Sequence, residues 1–364
     1  MNSRDRVLTT FAHAEPDRVP LWFGMSPEFQ SRAQRQLGVD AEGLLVRLGD
    51  DFRRVYARYT GPAIAYRHAG ATSRTPFGVE RHGLGYGQPI ASPLANATLR
   101  EVHEYAWPDP AWMDVSQIRG AALEYRRQYA VLGGDWSPYW HDAIDLLGME
   151  GLLLKMHDEP EVVDAVLRHV VDYYCAVSQR VFAAAADALD VFFIGNDFGS
   201  QCGPLVGPAA FARFLLPHLE RLIRLGHDYG LKVQLHCCGG FAPLIPQMIA
   251  AGLDALHAVQ PSCVGMSLAR LKAAFGRQMV FNGAIDSHHV LIRGTPESVR
   301  RQTREVLAIM MPGGGYVAGA SHDYILEETP VENVVAMADA VREFGVYLPG
   351  PRTAAHWPAF LTSR

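Results

Sequence analysis

The strongest constraint on the fold is a rhythm in the second half of the chain. Short apolar runs recur at D-V-F-F-I-G (Asp190 to Gly195), L-K-V-Q-L-H (Leu231 to His236), L-D-A-L-H-A-V (Leu253 to Val259), M-V-F-N-G-A-I (Met279 to Ile285) and G-Y-V-A-G-A (Gly315 to Ala320). Runs of this length and composition suit buried parallel strands. Helical patterns separate them. From Pro208, Phe211, Leu215, Leu219 and Leu222 fall on one stripe, with Gly230 as a stop and a kink expected at Pro217. After Gly294, Thr295 suits a cap and Pro296 the first helical position, and Val299, Val306, Leu307 and Met310 follow on one face. Strand, loop and helix in alternation mean a parallel sheet covered by helices. Near-regular repetition without a Gly-rich nucleotide fingerprint favours a closed (β/α)8 TIM barrel over a doubly wound sheet, an α/β fold.

The first half is less regular, and the barrel is expected to carry an elaborated N-terminal region. R-V-P-L-W-F (Arg18 to Phe23) reads as a first strand and Y-A-V-L-G-G-D (Tyr129 to Asp135) as a later one. The Gly- and Pro-rich stretch from Gly78 to Ala97 reads as a hairpin or long loop. A single domain over 1–364 is expected, with N-terminal helices, first strands and a hairpin insertion in 1–125 and regular repeats in 126–345. The 364 residues, 49% of them hydrophobic and 20% charged, are enough for one large core.

Charge and cysteine content narrow the function. A net charge of −5 with no Lys/Arg block offers nothing to nucleic acid or to an anionic membrane surface. The amphipathic start M-N-S-R-D-R-V-L-T-T-F does not have the form of a signal peptide, and no apolar run reaches the roughly 18 residues of a membrane span. A cytoplasmic protein is expected. Five scattered cysteines argue for thiols, some metal-bound, rather than a disulfide scaffold.

In such a barrel the active site lies at the C-terminal ends of the strands. Here those ends are polar: Asn196 and Asp197 with Ser200 and Gln201; His236, Cys237 and Cys238; Gln260; Asp286 with His288 and His289; Ser321, His322 and Asp323. Each has a plainer reading. Asn196 and Asp197 also suit a turn before Gly199, the paired histidines suit capping, and His257, inside its run, suits a hydrogen-bonded core position. His236 and Cys238 stand apart, because His-x-Cys on a strand curling into its loop can offer nitrogen and sulfur to one zinc. Two ligands alone leave buried thiols in a Gly-terminated turn as the alternative.

Taken together, several stretches carry a resemblance. R-D-R-V-L-T-T-F-A-H-A-E-P-D-R-V-P-L (Arg4 to Leu21), L-L-G-M-E-G-L-L (Leu146 to Leu153), N-D-F-G-S-Q-C-G-P-L-V-G-P (Asn196 to Pro208), L-H-C-C-G-G (Leu235 to Gly240), F-N-G-A-I-D (Phe281 to Asp286) and G-G-G-Y-V-A-G-A-S-H-D (Gly313 to Asp323), with T-P-V-E-N (Thr329 to Asn333), resemble the uroporphyrinogen decarboxylase superfamily in order and over nearly the whole length. The resemblance implies the (β/α)8 barrel. V-P-L-W-F-G-M-S-P-E-F-Q-S-R (Val19 to Arg32) lacks the paired arginines that hold porphyrinogen carboxylates in the haem-pathway decarboxylases and places Glu28 there. The chain looks closer to the cobalamin-dependent methyltransferase branch. In that branch a zinc held by His-x-Cys and a later cysteine binds a thiol for methyl transfer from a corrinoid protein. His236 and Cys238 match the first two ligands, and His322 stands in the place of the third.

The resemblance therefore implies a corrinoid-dependent methyltransferase or demethylase moving a methyl group between a small thiol, methoxylated or N-methylated substrate and methylcobalamin on a separate corrinoid protein. Zinc is expected at His236, Cys238 and His322. Asp197, Asp286 and Glu150 are candidate catalytic groups, and Asn196, Gln201, Gln260, Asn282 and Tyr139 candidate substrate-binding groups. Two alternatives remain: a decarboxylase, either of uroporphyrinogen or metal-free on another carboxylated substrate, and a non-enzymatic corrinoid- or small-molecule-binding protein.

Overall fold

The computed structural model describes residues 1–62, 66–83 and 87–347. Two compact units emerge. One comprises Met1–Asp51, Ala258–Ser262 and the chain from Ser267 on; the other comprises Phe52–His257 and Cys263–Met266.

In the second unit, β1 (Phe52–Arg54), β2 (Ala130–Gly133), β3 (Val191–Gly195), β4 (Lys232–His236) and the start of β5 (Ala255–Val259) lie side by side in chain order, all parallel. Gly195 pairs with His236 and His236 with His257, so the ends of β3 and β4 stand level with the middle of β5. Between the strands run α1 (Tyr139–Leu147), the 26-residue α2 (Pro160–Ala185) and α3 (Leu216–Asp228). All residues of β3 and β5 are buried, as expected of parallel strands covered on both faces. Pro217 does not kink a continuous helix. The turns before it, Phe211–Leu215, are π-helical, and α3 starts afresh with the proline in its first turn, where a missing N–H leaves no bond unmade.

In the first unit the end of β5 is followed by β6 (Val280–Ile285) and β7 (Tyr316–Ala320), which pair in parallel from Phe281–Tyr316 to Ile285–Ala320. Their helices are α4 (Pro296–Met310), capped by Thr295 as its sequence predicts, and α5 (Val331–Phe344). The expected first strand at Arg18 to Phe23 is reduced to a bridge. Leu21 lies parallel to Ala318, with Ala318 donating to Pro20 O (2.8 Å) and Trp22 to Ala318 O (2.9 Å), and Pro20 has no N–H with which to extend the ladder. The strands and helices form the repeating β/α arrangement of a TIM barrel. The Gly/Pro-rich insertion is the expected hairpin: Ser73–Arg74, Glu80–His82 and Gln88–Pro89 are antiparallel, while residues 84–86 lie outside those described. Among the described residues no helix is long and apolar enough to cross a membrane.

Two local features fix the frame. Asp51, fully buried, accepts from Arg6 Nη1 (2.6 Å), Arg18 Nη1 (2.8 Å), Arg18 Nη2 (3.0 Å) and the Leu21 N–H (2.8 Å), tying the N-terminal helix to the Pro20–Leu21 segment. In the second unit, the loops after β3 and β4 cross with their backbones touching. A Cβ on Gly199 would lie 2.7 Å from Cys238 O, and one on Gly239, whose φ is +88°, would lie 2.5 Å from Gly199 C. No side chain fits at either position.

Asp51→Ala is expected to lower the unfolding free energy by about 3–5 kcal/mol, measured by urea denaturation, because Arg18 loses its carboxylate, Arg6 keeps only that of Asp17 and the Leu21 N–H loses its acceptor. For the crossing, Gly230 is the control: its φ is +75°, with no atom near an added Cβ. Gly230→Ala is expected to lose about 1–2 kcal/mol through backbone conformation alone. Gly239→Ala should lose that and about 1–3 kcal/mol more from overlap. Equal losses in the two variants would show that the crossing does not constrain the loops.

Candidate functional site

The crossing brings together side chains from the ends of β3 and β4. Asp197 Oδ1 accepts the Cys238 N–H at 2.6 Å and lies 3.4 Å from His236 Nε2; Cys238 Sγ lies 3.3 Å from the same nitrogen. One donor atom from each of Asp197, His236 and Cys238 falls within 4.8 Å of the others. A tetrahedral zinc separates its nitrogen and sulfur ligands by roughly 3.5 Å, so this spacing fits a single ion with three protein donors and one position open. The chemistry of the set, one nitrogen, one sulfur and one carboxylate oxygen, also fits zinc.

The surroundings orient these donors. His141, from the first turn of α1, places Nε2 3.2 Å from Asp197 Oδ2. Burial by itself would raise the Asp197 pKa, but the hydrogen bonds and charges of His141 and His236 prevail and hold the carboxyl well below its usual range. It is an anion at neutral pH. On its other ring nitrogen, His236 meets His257: the two Nδ1 atoms are 3.1 Å apart, and both rings are buried. Trp136 leans on His236 with ring centroids 5.4 Å apart, and the room for that indole comes from Gly195, where a Cβ would sit 2.0 Å from it. The adjacent Cys237 faces away, as alternation along a strand requires. It is fully buried, its Sγ receives the Phe198 N–H at 3.3 Å, and burial pushes its thiol well above the ordinary value.

The other expected site residues fall in different settings. Asn196 is fully buried and works as a clamp, accepting the Trp140 N–H (2.9 Å) and donating to Ser137 O (3.1 Å), which sets the start of α1 and hence His141. Tyr139 is buried and donates to Leu215 O at 3.0 Å. Gln201 is exposed on the loop beyond Gly199, and Glu150 is exposed in the first turn of the helix Met149–Asp158. Asp286, Asn282, Gln260 and His322 belong to the first unit. There Asp286 caps the π-helical Ser287–Ile292, accepting from the His289 N–H (2.7 Å), with His289 Nδ1 at 3.1 Å from its other oxygen. Asn282 is buried and Gln260 half-buried. His322 Nδ1 lies 3.1 Å from Tyr324 O and 3.2 Å from Tyr324 N.

Sequence reasoning missed His141, Trp136 and the place of His257 beside His236. The strand-end argument used for the later runs would have reached Trp136 had it been applied to Tyr129–Asp135. Nothing in the spacing marks His141, which comes to the site through the Asn196 clamp.

Residues 89–344 match the profile of the uroporphyrinogen decarboxylase (URO-D) family. Among curated proteins, the chain is 23% identical over 282 residues to the methylated-thiol--coenzyme M methyltransferase of Methanosarcina mazei, covering 72% of each. It is 27% identical over 190 residues to the uroporphyrinogen decarboxylase of Syntrophotalea carbinolica, spanning about half of either chain. Among solved structures, a methyltransferase from Methanosarcina mazei shares the fold, with a TM-score of 0.68 over 94% of this chain and 99% of that one at 19% identity. By the match over residues 89–344, this chain is a member of the uroporphyrinogen decarboxylase family.

Proposed function

We propose that the protein is a zinc-assisted methyltransferase acting on a small sulfur-, oxygen- or nitrogen-methylated substrate or its demethylated partner. The observation that carries the reading is the convergence of His236 Nε2, Cys238 Sγ and Asp197 Oδ1 at the crossing of two loops. The methylated-thiol methyltransferase relative, with 72% coverage of each chain, supports it further. A bound zinc supplies Lewis acidity, lowering the pKa of a substrate thiol or polarising the atom that carries the methyl group.

The chain's own residues do the rest. With a proton on His236 Nδ1 directed at His257 Nδ1, the lone pair of Nε2 is free for the metal, and His257 fixes the ring. Asp197, held ionised in the metal-free protein by His141 and His236, adds the third donor and the negative charge that favours a dication. Its bond from the Cys238 N–H holds the Cys238 backbone in register with the carboxylate. His141, about one-third exposed, is the nearest basic group beyond that carboxylate and is suited to receive or return a proton on the solvent side. A separate corrinoid protein would supply the other half of the transfer, giving its methyl group to the demethylated partner or, in its methyl-free reduced form, taking one from the methylated substrate, as the resemblance to the methyltransferase branch implies.

The decarboxylase alternative draws less support. Arg32, the arginine closest to the expected carboxylate-binding segment, donates to the carbonyls of Glu327 and Thr329 and is committed to the fold.

Metal analysis of the purified protein is expected to find about one zinc per chain. His236→Ala, Cys238→Ala and Asp197→Ala should each lower zinc retention at least tenfold against a chelator while leaving the far-ultraviolet circular dichroism unchanged. His322→Ala, compared in the same titration, decides whether that histidine adds a ligand. Zinc absent from the parent, or retained in all the variants, would overturn the reading. A second expectation concerns His257→Phe, which keeps an aromatic ring and removes the hydrogen bond on His236 Nδ1. Zinc affinity should fall about 10–100-fold, read by competition with a chromogenic chelator.

A further inference from the structure

β1 was not foreseen in the sequence because two arginines, Arg53 and Arg54, make up most of it. Neighbours on a strand face opposite ways, and these two have opposite surroundings. Arg53 is buried, donates to Phe52 O at 2.6 Å, and lies flat on the Tyr129 ring at 3.7 Å. Its cation serves packing. Arg54 ends β1 on the side where Trp136 and Phe193 stand, its guanidinium carbon 5.1 Å and 5.0 Å from their ring centres and 4.7 Å from that of Tyr56. Its Nε is buried without a hydrogen-bond partner, and among the described residues the guanidinium forms no ion pair.

A half-buried guanidinium with ring faces around it and no carboxylate in direct contact is costly to desolvate. Asp135 is close enough for Arg54 to act on it electrostatically, but the two form no hydrogen bond or ion pair, and one Asp135 carboxylate oxygen accepts the Ser137 N–H (3.0 Å). The approach is open on one side, where Tyr56 is 66% exposed. On the other side Trp136 continues from Arg54 to His236. The indole thus joins the Arg54 guanidinium to the proposed zinc ligand.

We propose that Arg54 is the anion-recognising end of the substrate site: a carboxylate on the substrate pairs with the guanidinium fork while the carbon chain lies along Trp136 towards His236. The choice of carboxylate follows from the planar fork, which matches two coplanar oxygens. The part of the inference concerning the reacting end rests on the methyl-transfer reading; the anion site itself does not. Arg54 selects and positions the substrate.

Two pairs of probes separate these ideas. Propionate and propionamide contain no sulfur and read the anion site alone; 3-mercaptopropionate and 3-mercaptopropionamide add the thiol. Binding to the full-length protein is measured by ligand-observed NMR titration. In the parent, each carboxylate is expected to bind about tenfold or more tightly than its amide. Arg54→Gln should bring each pair to within about twofold, and Arg54→Lys, which keeps the charge but loses the fork, should retain an intermediate preference. Thermal unfolding of all variants checks that each is folded. Equal binding of acid and amide by the parent, no binding of either acid, or a preference that survives Arg54→Gln in the folded variant would each overturn the proposal. Cys238→Ala distinguishes the two readings. It should weaken the thiol pair only, and if it weakens neither pair while the Arg54 dependence stands, the anion site holds and the zinc-thiol reading fails.

Discussion

Everything proposed for the site depends on two backbones meeting where neither can carry a side chain. Gly199 and Gly239 let the loops after β3 and β4 touch, and because they touch, the Asp197 carboxylate reaches the Cys238 N–H at 2.6 Å. That one bond sets the spacing of three donors. His236 is already held by the strand ladder, level with Gly195 and His257. Main-chain geometry therefore brings together a carboxylate and a thiol from two loops and an imidazole from the end of β4. Pre-organisation of this kind is what a metal or substrate site needs, since donors that must be gathered on binding lose affinity to entropy.

The neighbouring groups form a second ring around this core. Asn196 anchors the start of α1, and α1 delivers His141 to Asp197. His257 and Trp136 border His236 from the strand and from the loop after β2. Trp136 also extends to Arg54, so a single indole lies against both that guanidinium and the imidazole of His236. In an antiparallel sheet the ends of neighbouring strands would alternate between opposite edges. Here the parallel, in-order strands of the second unit bring their C-terminal ends to one side.

Much of this was legible in the sequence. The five apolar runs of the second half became β3 to β7 within one or two residues, because a strand buried on both faces must be apolar throughout and has few other readings. Thr295, Pro296 and the Gly/Pro-rich insertion behaved as their local chemistry dictates. β1 escaped notice for the converse reason: Arg53 and Arg54 hide a three-residue strand whose burial is achieved through ring faces. The π-helical turns before Pro217 were likewise unreadable, since a proline marks that a helix must change and does not say how. At the site, His236 and Cys238 could be singled out by spacing, and Asp197 by its place at a strand end. Its partnership with them required the loop crossing, a contact across 41 residues of sequence.

The two adjacent cysteines carry a consequence for comparing this chain with its relatives. Cys238 turns its sulfur to His236 Nε2, so under the proposed zinc reading only residues able to coordinate can replace it there. Cys237 is a small buried acceptor for the Phe198 N–H, a task that a serine hydroxyl performs as well. Identical letters side by side thus stand under different rules of substitution. In a relative, a change at the first position leaves the donor set whole, whereas a change at the second redraws the chemistry even when every other motif is intact.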